Sequence, residues 1–221
     1  MPVPLILLGN GRKDCITQAV ASIGTNLLGV GPVLIVDDSG DPAYRAWLQA
    51  EFRVEVVPVA EERAGYWRAM RAVWQAAADC HQLVFWEEDF ILNQRLDVAD
   101  LAEALDGHPY LTQIALVRQP WFGNEHHHGG VIEALEAQRN HFQQRTDGTH
   151  SWIEHRACFT GNPSLLPAST LRRPWPEGDW SESRFGREMF RDPKARGAYW
   201  GRRGDSPLVT HIGHERAGHD Y

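Results

Sequence analysis

Lysine is almost missing from this chain: of 22 basic residues only Lys13 and Lys194 are lysines, and the rest are arginines. Twenty-nine acidic residues outnumber them, and the net charge of −7 excludes a general attraction to nucleic acid or to anionic membranes. Cysteine is scarce. Cys15, Cys80 and Cys158 are odd in number, far apart and in no paired spacing, which excludes a disulfide framework and favours a reducing, cytoplasmic setting. No apolar run is long enough for a membrane span. The opening Met1-Pro2-Val3-Pro4-Leu5-Ile6-Leu7-Leu8 has no basic n-region, so it reads as a strand and not as a signal peptide. Repeats and low-complexity tracts are absent.

What is present is an α/β pattern. A length of 221 residues with 43% hydrophobic content suits a single domain with a sizeable core. Short apolar runs at Val3–Leu8, Val33–Val36, Val54–Val59 and Leu83–Trp86 alternate with helical periodicities. The first helix is expected to start at a cap on Asp14 and to bury Ile16, Val20 and Ile23. The second carries Ala43, Ala46, Trp47 and Ala50 on its inner stripe. The third runs from about Ala64 to Asp79 with Tyr66, Met70, Val73, Trp74 and Ala77 in register. A helix through Val98, Leu101, Ala102 and Leu105 and a strand over Leu111–Val117 complete this half. Alternation of this kind predicts a mostly parallel sheet flanked by helices, with ligands at the carboxyl ends of its strands.

Those ends carry polar turns: Gly9-Asn10-Gly11-Arg12, Asp37-Asp38-Ser39-Gly40 and Glu87-Glu88-Asp89. Three adjacent carboxylates behind a buried strand are costly unless they reach water or share a cation. Glu87 and Asp89, two apart on an extended backbone, are expected on one side, where they would hold a divalent ion and leave room for phosphate oxygens. Asp37 and Asp38 are also good turn formers. Gly-Asn-Gly-Arg lacks the full dinucleotide fingerprint and the P-loop lysine. Residues 118–151 are polar, contain His126-His127-His128, and read as a long excursion over the site. Adjacent histidines lack metal-ligand spacing, so a solvated loop is expected there. Trp121, Trp175 and Trp180, in Pro- and Gly-rich loops, are candidate faces for sugar rings.

The set Val36-Asp37-Asp38-Ser39, Ala64-Gly65 ahead of a helix with Ala69 and Arg71, and Phe85-Trp86-Glu87-Glu88-Asp89 resembles a GT-A glycosyltransferase of the family 2 type. With its Trp-Pro-x-Gly, Ser-Glu-x-Arg-Phe-Gly and His-Ile-Gly-His-Glu-Arg segments, the chain is similar to small glycosyltransferase-like proteins of actinobacteria and their phages. The resemblance implies a GT-A-like fold, with residues 1–117 as the nucleotide-sugar half and 118–221 as the acceptor side. It implies a metal-dependent, inverting transfer from a nucleoside-diphosphate sugar to an unidentified protein, glycan or small-molecule acceptor. Asp38 would meet the base or ribose, with Asp37 beside it. Arg71 would neutralise phosphate or pair with an acid, Arg216 would reach a phosphate oxygen, and Arg12 is either a surface residue or a contact to the nucleotide. Asp89 would ligate Mn²⁺ or Mg²⁺, with Glu87 at the first position of the Asp-x-Asp motif and His211, or else His214, completing the shell. Glu182 would be the base, with Asp179 as its rival. The alternatives are a nucleotidyltransferase on a related sheet and a nucleotide-sugar-binding protein whose chemistry has decayed.

Overall fold

The computed structural model describes residues 2–213. In chain order the elements are β1 (Val3–Gly9), α1 (Lys13–Asn26), β2 (Leu27–Leu28), β3 (Val30–Asp37), α2 (Pro42–Phe52), β4 (Glu55–Pro58), α3 (Tyr66–Ala76), β5 (Gln82–Glu87), β6 (Phe90–Leu92), β7 (Leu96–Asp97), α4 (Val98–Gly107) and β8 (Leu111–Ala115). There follow α5 (Gly123–His128), α6 (Val131–Ala137), β9 (Phe142–Thr146), β10 (Ser151–His155), β11 (Ser164–Pro167), α7 (Ala168–Leu171), α8 (Ser181–Met189), β12 (Arg196–Trp200) and β13 (Val209–His211). Nine strands form one sheet in the order β4-β3-β1-β5-β11-β8-β12-β10-β9. Only β11 and β10 run against the others, so the sheet is mixed but mostly parallel. No helix among the described residues is long and apolar enough to cross a membrane.

The pleat decides what each face buries. Leu5, Leu7, Val84 and Trp86 point to the layer of α1, α2 and α4, while Ile6, Leu8, Leu83 and Phe85 point to α3 and α8. Both faces are therefore covered, which is why these strands read as unbroken apolar runs. Each fully buried side chain of this kind contributes about 1.5–3 kcal/mol. Because β1 pairs in parallel with both β3 and β5, Gly9 lies beside Asp37 and Leu8 beside Glu87. Three polar strand ends thus share one rim.

Three expectations need correction. In α2 the buried residues are Tyr44 and Leu48, with Trp47 partly covered, whereas Ala43, Ala46 and Ala50 are exposed. Large rings and a leucine bury far more area than alanines, so they set the helix's rotation. Asp14 does not cap α1; Arg12 occupies the cap position without a side-chain bond, and Asp14 lies inside the first turn, favourable to the helix dipole. Residues 118–151 are not a structureless excursion. They hold α5, α6 and the edge strand β9; α6 covers the amphipathic piece that Val131–Leu135 shows in the sequence, while α5 and β9 are too short and polar to show a period. His126, His127 and His128 sit exposed on α5.

Candidate active site

The acidic run divides into three separate environments. Strand β5 stops at Glu87, Glu88 and Asp89 make a turn, and Trp86 Nε1 fixes that turn by donating to the Phe90 carbonyl at 2.9 Å. Side-chain alternation ends where the strand ends, and the expected side-by-side pairing of Glu87 with Asp89 gives way to different partners. Glu87 meets Tyr66, whose hydroxyl also lies 3.1 Å from Glu182. Glu88 accepts Arg12 Nε at 2.7 Å, the Asn10 amide at 2.8 Å and the Tyr44 hydroxyl at 3.3 Å. Asp89 Oδ2 accepts Arg12 Nη2 at 3.0 Å and stands 2.9 Å from His211 Nε2.

Arg12 is therefore the hub of the rim rather than a surface arginine. Burial opposes its charge, but Asp89 and Glu88 outweigh that and raise its pKa. Glu88 is held above the usual carboxylate range by burial, with Arg12 and the Asn10 amide pulling the other way. His211 arrives on β13, which pairs antiparallel with β6 so that His211 faces Phe90. Its ring stacks on Phe90 and meets Trp121 edge-on, and Gln119 exchanges two hydrogen bonds with its backbone, of 2.8 and 2.9 Å. Gly213 packs against Asp89 and Arg12 at a place where any Cβ would collide with the carboxylate.

The other predicted residues have definite places. Asp38 is buried, and its two oxygens accept the amides of Ala64 and Gly65 at 2.9 and 3.0 Å, which fixes the loop before α3. Burial raises its pKa against those two bonds. Asp37 closes its own turn through the Ser39 amide and hydroxyl, with Arg45 3.8 Å away. Both acids thus carry internal bonds, the turn-forming alternative for Asp37 and a loop clamp for Asp38. Arg71 is spent on a surface ion pair with Glu177, away from the acids of the rim. Asp179 is exposed. Trp175 is core, whereas Trp180 is 70% exposed with a left-handed backbone (φ 57°) at the start of α8. His214 and Arg216 lie outside the described residues.

Two clefts meet at Glu182. One, of about 560 Å³, runs between Arg63–Trp67 and Gly178–Ser183. The other, of about 580 Å³, runs from Glu182 and Ser183 past Cys158 to Arg118 and Phe190. Beside Glu182, Gly161 has no side chain, and a Cβ there would stand 2.7 Å from Glu87 Oε1, 3.0 Å from Tyr66 Oη and 3.4 Å from Glu182 Oε2. Burial, then Glu182 and Glu87, push the Tyr66 hydroxyl well above its ordinary pKa. The sequence signal for Tyr66 was present but pointed elsewhere, since its place on the apolar stripe of α3 marks it as core. Glu88, Gln119 and Gly161 carried no signal beyond the acidic run and ordinary loop composition.

A fold-implied divalent cation can be tested against this geometry. Among the described residues no group of three or more His, Cys, Asp or Glu is placed to hold a metal. Asp89 Oδ2 and His211 Nε2, at 2.9 Å, have the separation of neighbouring ligands on one ion, which is about 3 Å for bonds of about 2.1 Å. Two protein ligands with substrate phosphates supplying the remainder is an ordinary arrangement for such ions. The pair fits the group; Glu87 does not belong to it.

No protein-family model and no curated protein matches the sequence. Among solved structures the chain is similar to S. aureus TarS 1-349 in complex with UDP-GlcNAc, with 16% identity and a TM-score of 0.63 over 100% of this chain and 60% of that one. It is also similar to GalNAc-T7 with UDP, GalNAc and Mn²⁺, with 9% identity and a TM-score of 0.64 over 96% of this chain and 44% of that one. A third likeness is to CMP:2-keto-3-deoxy-manno-octonic acid synthetase complexed with CTP, with 15% identity and a TM-score of 0.52 over 90% and 89% of the two chains. The chain thus spans 60% or less of these two glycosyltransferase chains. At such identities the likeness is one of fold, and the fold is that of the GT-A glycosyltransferases.

Proposed function

We propose that this chain is a GT-A glycosyltransferase moving a sugar from a nucleoside-diphosphate sugar to an acceptor hydroxyl with inversion. The observation that carries the reading is the position of Glu182. It lies where two clefts join, with Tyr66 on the helix whose start Asp38 clamps. A base for this reaction has to face both the acceptor hydroxyl and the donor's anomeric carbon, and a carboxylate between two clefts does so. Glu182 takes the hydroxyl proton as that oxygen attacks, and the bond between the anomeric carbon and the phosphate oxygen breaks. The electron pair leaves with the nucleoside diphosphate.

Asp89 and His211 would hold the divalent ion, whose chemistry when bound is to offset charge on the leaving diphosphate. Arg12 supplies a fixed positive charge beside them and keeps Glu88 and Asp89 from repelling the phosphates. Residues 1–117 form the donor half, and the later segments line the second cleft. The three free cysteines support a reducing, cytoplasmic setting.

Calorimetry with UDP and GDP, with Mn²⁺ and with EDTA, tests the donor site. Glu182→Gln tests the base: nucleotide affinity stays and turnover falls by about a hundredfold or more. Near-normal turnover transfers the role to Asp179. Nucleotide binding without turnover for any acceptor leaves the decayed-binder reading. The likeness to the CTP-bound synthetase favours nucleotidyl transfer as the second reading. Release of pyrophosphate from CTP would establish it.

A further inference from the structure

The second cleft has an uneven distribution of charge. Three arginines line it, in a protein whose net charge is −7. Arg118 is neutralised: Glu125 accepts two of its N–H groups, at 2.6 and 2.8 Å. Burial alone would raise the Glu125 pKa, but Arg118 and the amides of Trp121 and Phe122 hold it below the usual range, and the two side chains satisfy each other. Arg156 is different. Its guanidinium is fixed by main-chain carbonyls, those of Pro193 and Phe190, which orient the charge without cancelling it. Arg187 has no hydrogen-bond or ion-pair partner among the described residues. It lies on α8 with Glu182, one turn and a half further along, and both line the same wall. On the other side of the cleft Leu135 and the 60% exposed ring of Phe122 offer an apolar surface.

We infer that this cleft takes an acceptor bearing an anionic group, a phosphate or carboxylate, next to an apolar or ring-shaped body, with Arg187 as the residue that selects it. The inference rests on the cleft being the acceptor side of the proposed transferase. The anion sits on Arg187, with Arg156 adding charge at long range, and the body lies along Phe122 and Leu135. The acceptor hydroxyl then extends inward to Glu182. A neutral acceptor of the same shape leaves Arg187 with nothing to bind. The rival explanation is an exposed arginine solvated for its own sake; it predicts no ligand preference at all.

Phenyl phosphate is a probe of the required chemistry, and phenyl glucoside is its neutral counterpart. Titrations of both, by calorimetry and by saturation-transfer NMR, are made on the wild type, Arg187→Ala, Arg187→Lys and Arg12→Ala. The expected result is binding of phenyl phosphate in preference to phenyl glucoside, weakened about tenfold in Arg187→Ala, as for loss of a charge-assisted hydrogen bond, and partly restored in Arg187→Lys. Equal binding of the two probes, or indifference to Arg187→Ala, overturns the inference, and so does loss of phenyl phosphate only in Arg12→Ala, which would place it at the donor rim. UDP and GDP titrations on the same proteins read the donor site separately. If nucleotides fail to bind while the Arg187 dependence holds, the transferase reading falls and the anion site remains.

Discussion

Asp89 and His211 are 122 positions apart, yet their side chains meet at 2.9 Å, with Arg12 bonded to the same carboxylate oxygen. His211→Gln keeps a polar side chain of similar length beside Asp89 and removes the imidazole nitrogen. The expected outcome is that Mn²⁺ no longer raises UDP or GDP affinity, a loss of about tenfold or more, while affinity in EDTA is unchanged. An undiminished Mn²⁺ effect in calorimetry would remove His211 from the metal shell.

Tyr66→Phe deletes the hydroxyl that reaches both Glu87 and Glu182 while preserving the ring in its contact with Trp175. Without that hydroxyl Glu182 loses a fixed partner, and kcat is expected to drop about tenfold or more with nucleotide affinity intact. Parallel losses in both quantities would mean that Tyr66 holds the donor and not the base.

His155 gives the fold a pH dependence. Burial lowers its pKa from 6.5 to about 4, and its Nδ1 accepts the Ala157 amide, so the native state keeps it neutral. Between pH 6.5 and 4 the unfolded chain binds the proton that the folded one refuses, so stability falls as pH falls through that window, by up to about 3 kcal/mol. Denaturant melts of the wild type and of His155→Gln at pH 7 and pH 4.5 should show the smaller loss in the variant. Equal losses would show that His155 takes up its proton without unfolding.

Gly186 lies inside α8, where alanine normally gains about 1 kcal/mol over glycine. A Cβ there would stand 2.8 Å from the backbone nitrogen of Phe159 and 3.1 Å from its Cβ, and a main chain cannot rotate aside. The clash is expected to win, with Gly186→Ala lowering stability by about 1–3 kcal/mol in chemical melts. A stabilised variant would mean that the loop around Phe159 yields freely.

The rim was legible because Leu83–Trp86 is apolar without alternation, which only a strand covered on both faces requires, and because polar turns follow three such strands. Asp89 was marked out by the acidic run itself, whereas His211 was suggested only by the resemblance to known proteins; nothing local in Val209–His211 says which strand it will pair with. Glu87 was placed wrongly because alternation holds only while the strand lasts, and the strand ends on that very residue. Tyr66 was hidden by its own apolar ring, since periodicity cannot tell a core tyrosine from one whose hydroxyl serves a site. Arg187 carries no signal in the sequence, because its lack of a partner among the described residues is a property of the folded surface.

The pairing of β13 with β6 also sets an order in time. Phe90 is synthesised long before His211, and the strand that must face it is made near the close of the described chain. All nine strands of the main sheet are made before that last one. Yet Val209 of that late strand is itself fully buried in the core, so a copy stopped short of it lacks a piece of the core together with the imidazole beside Asp89.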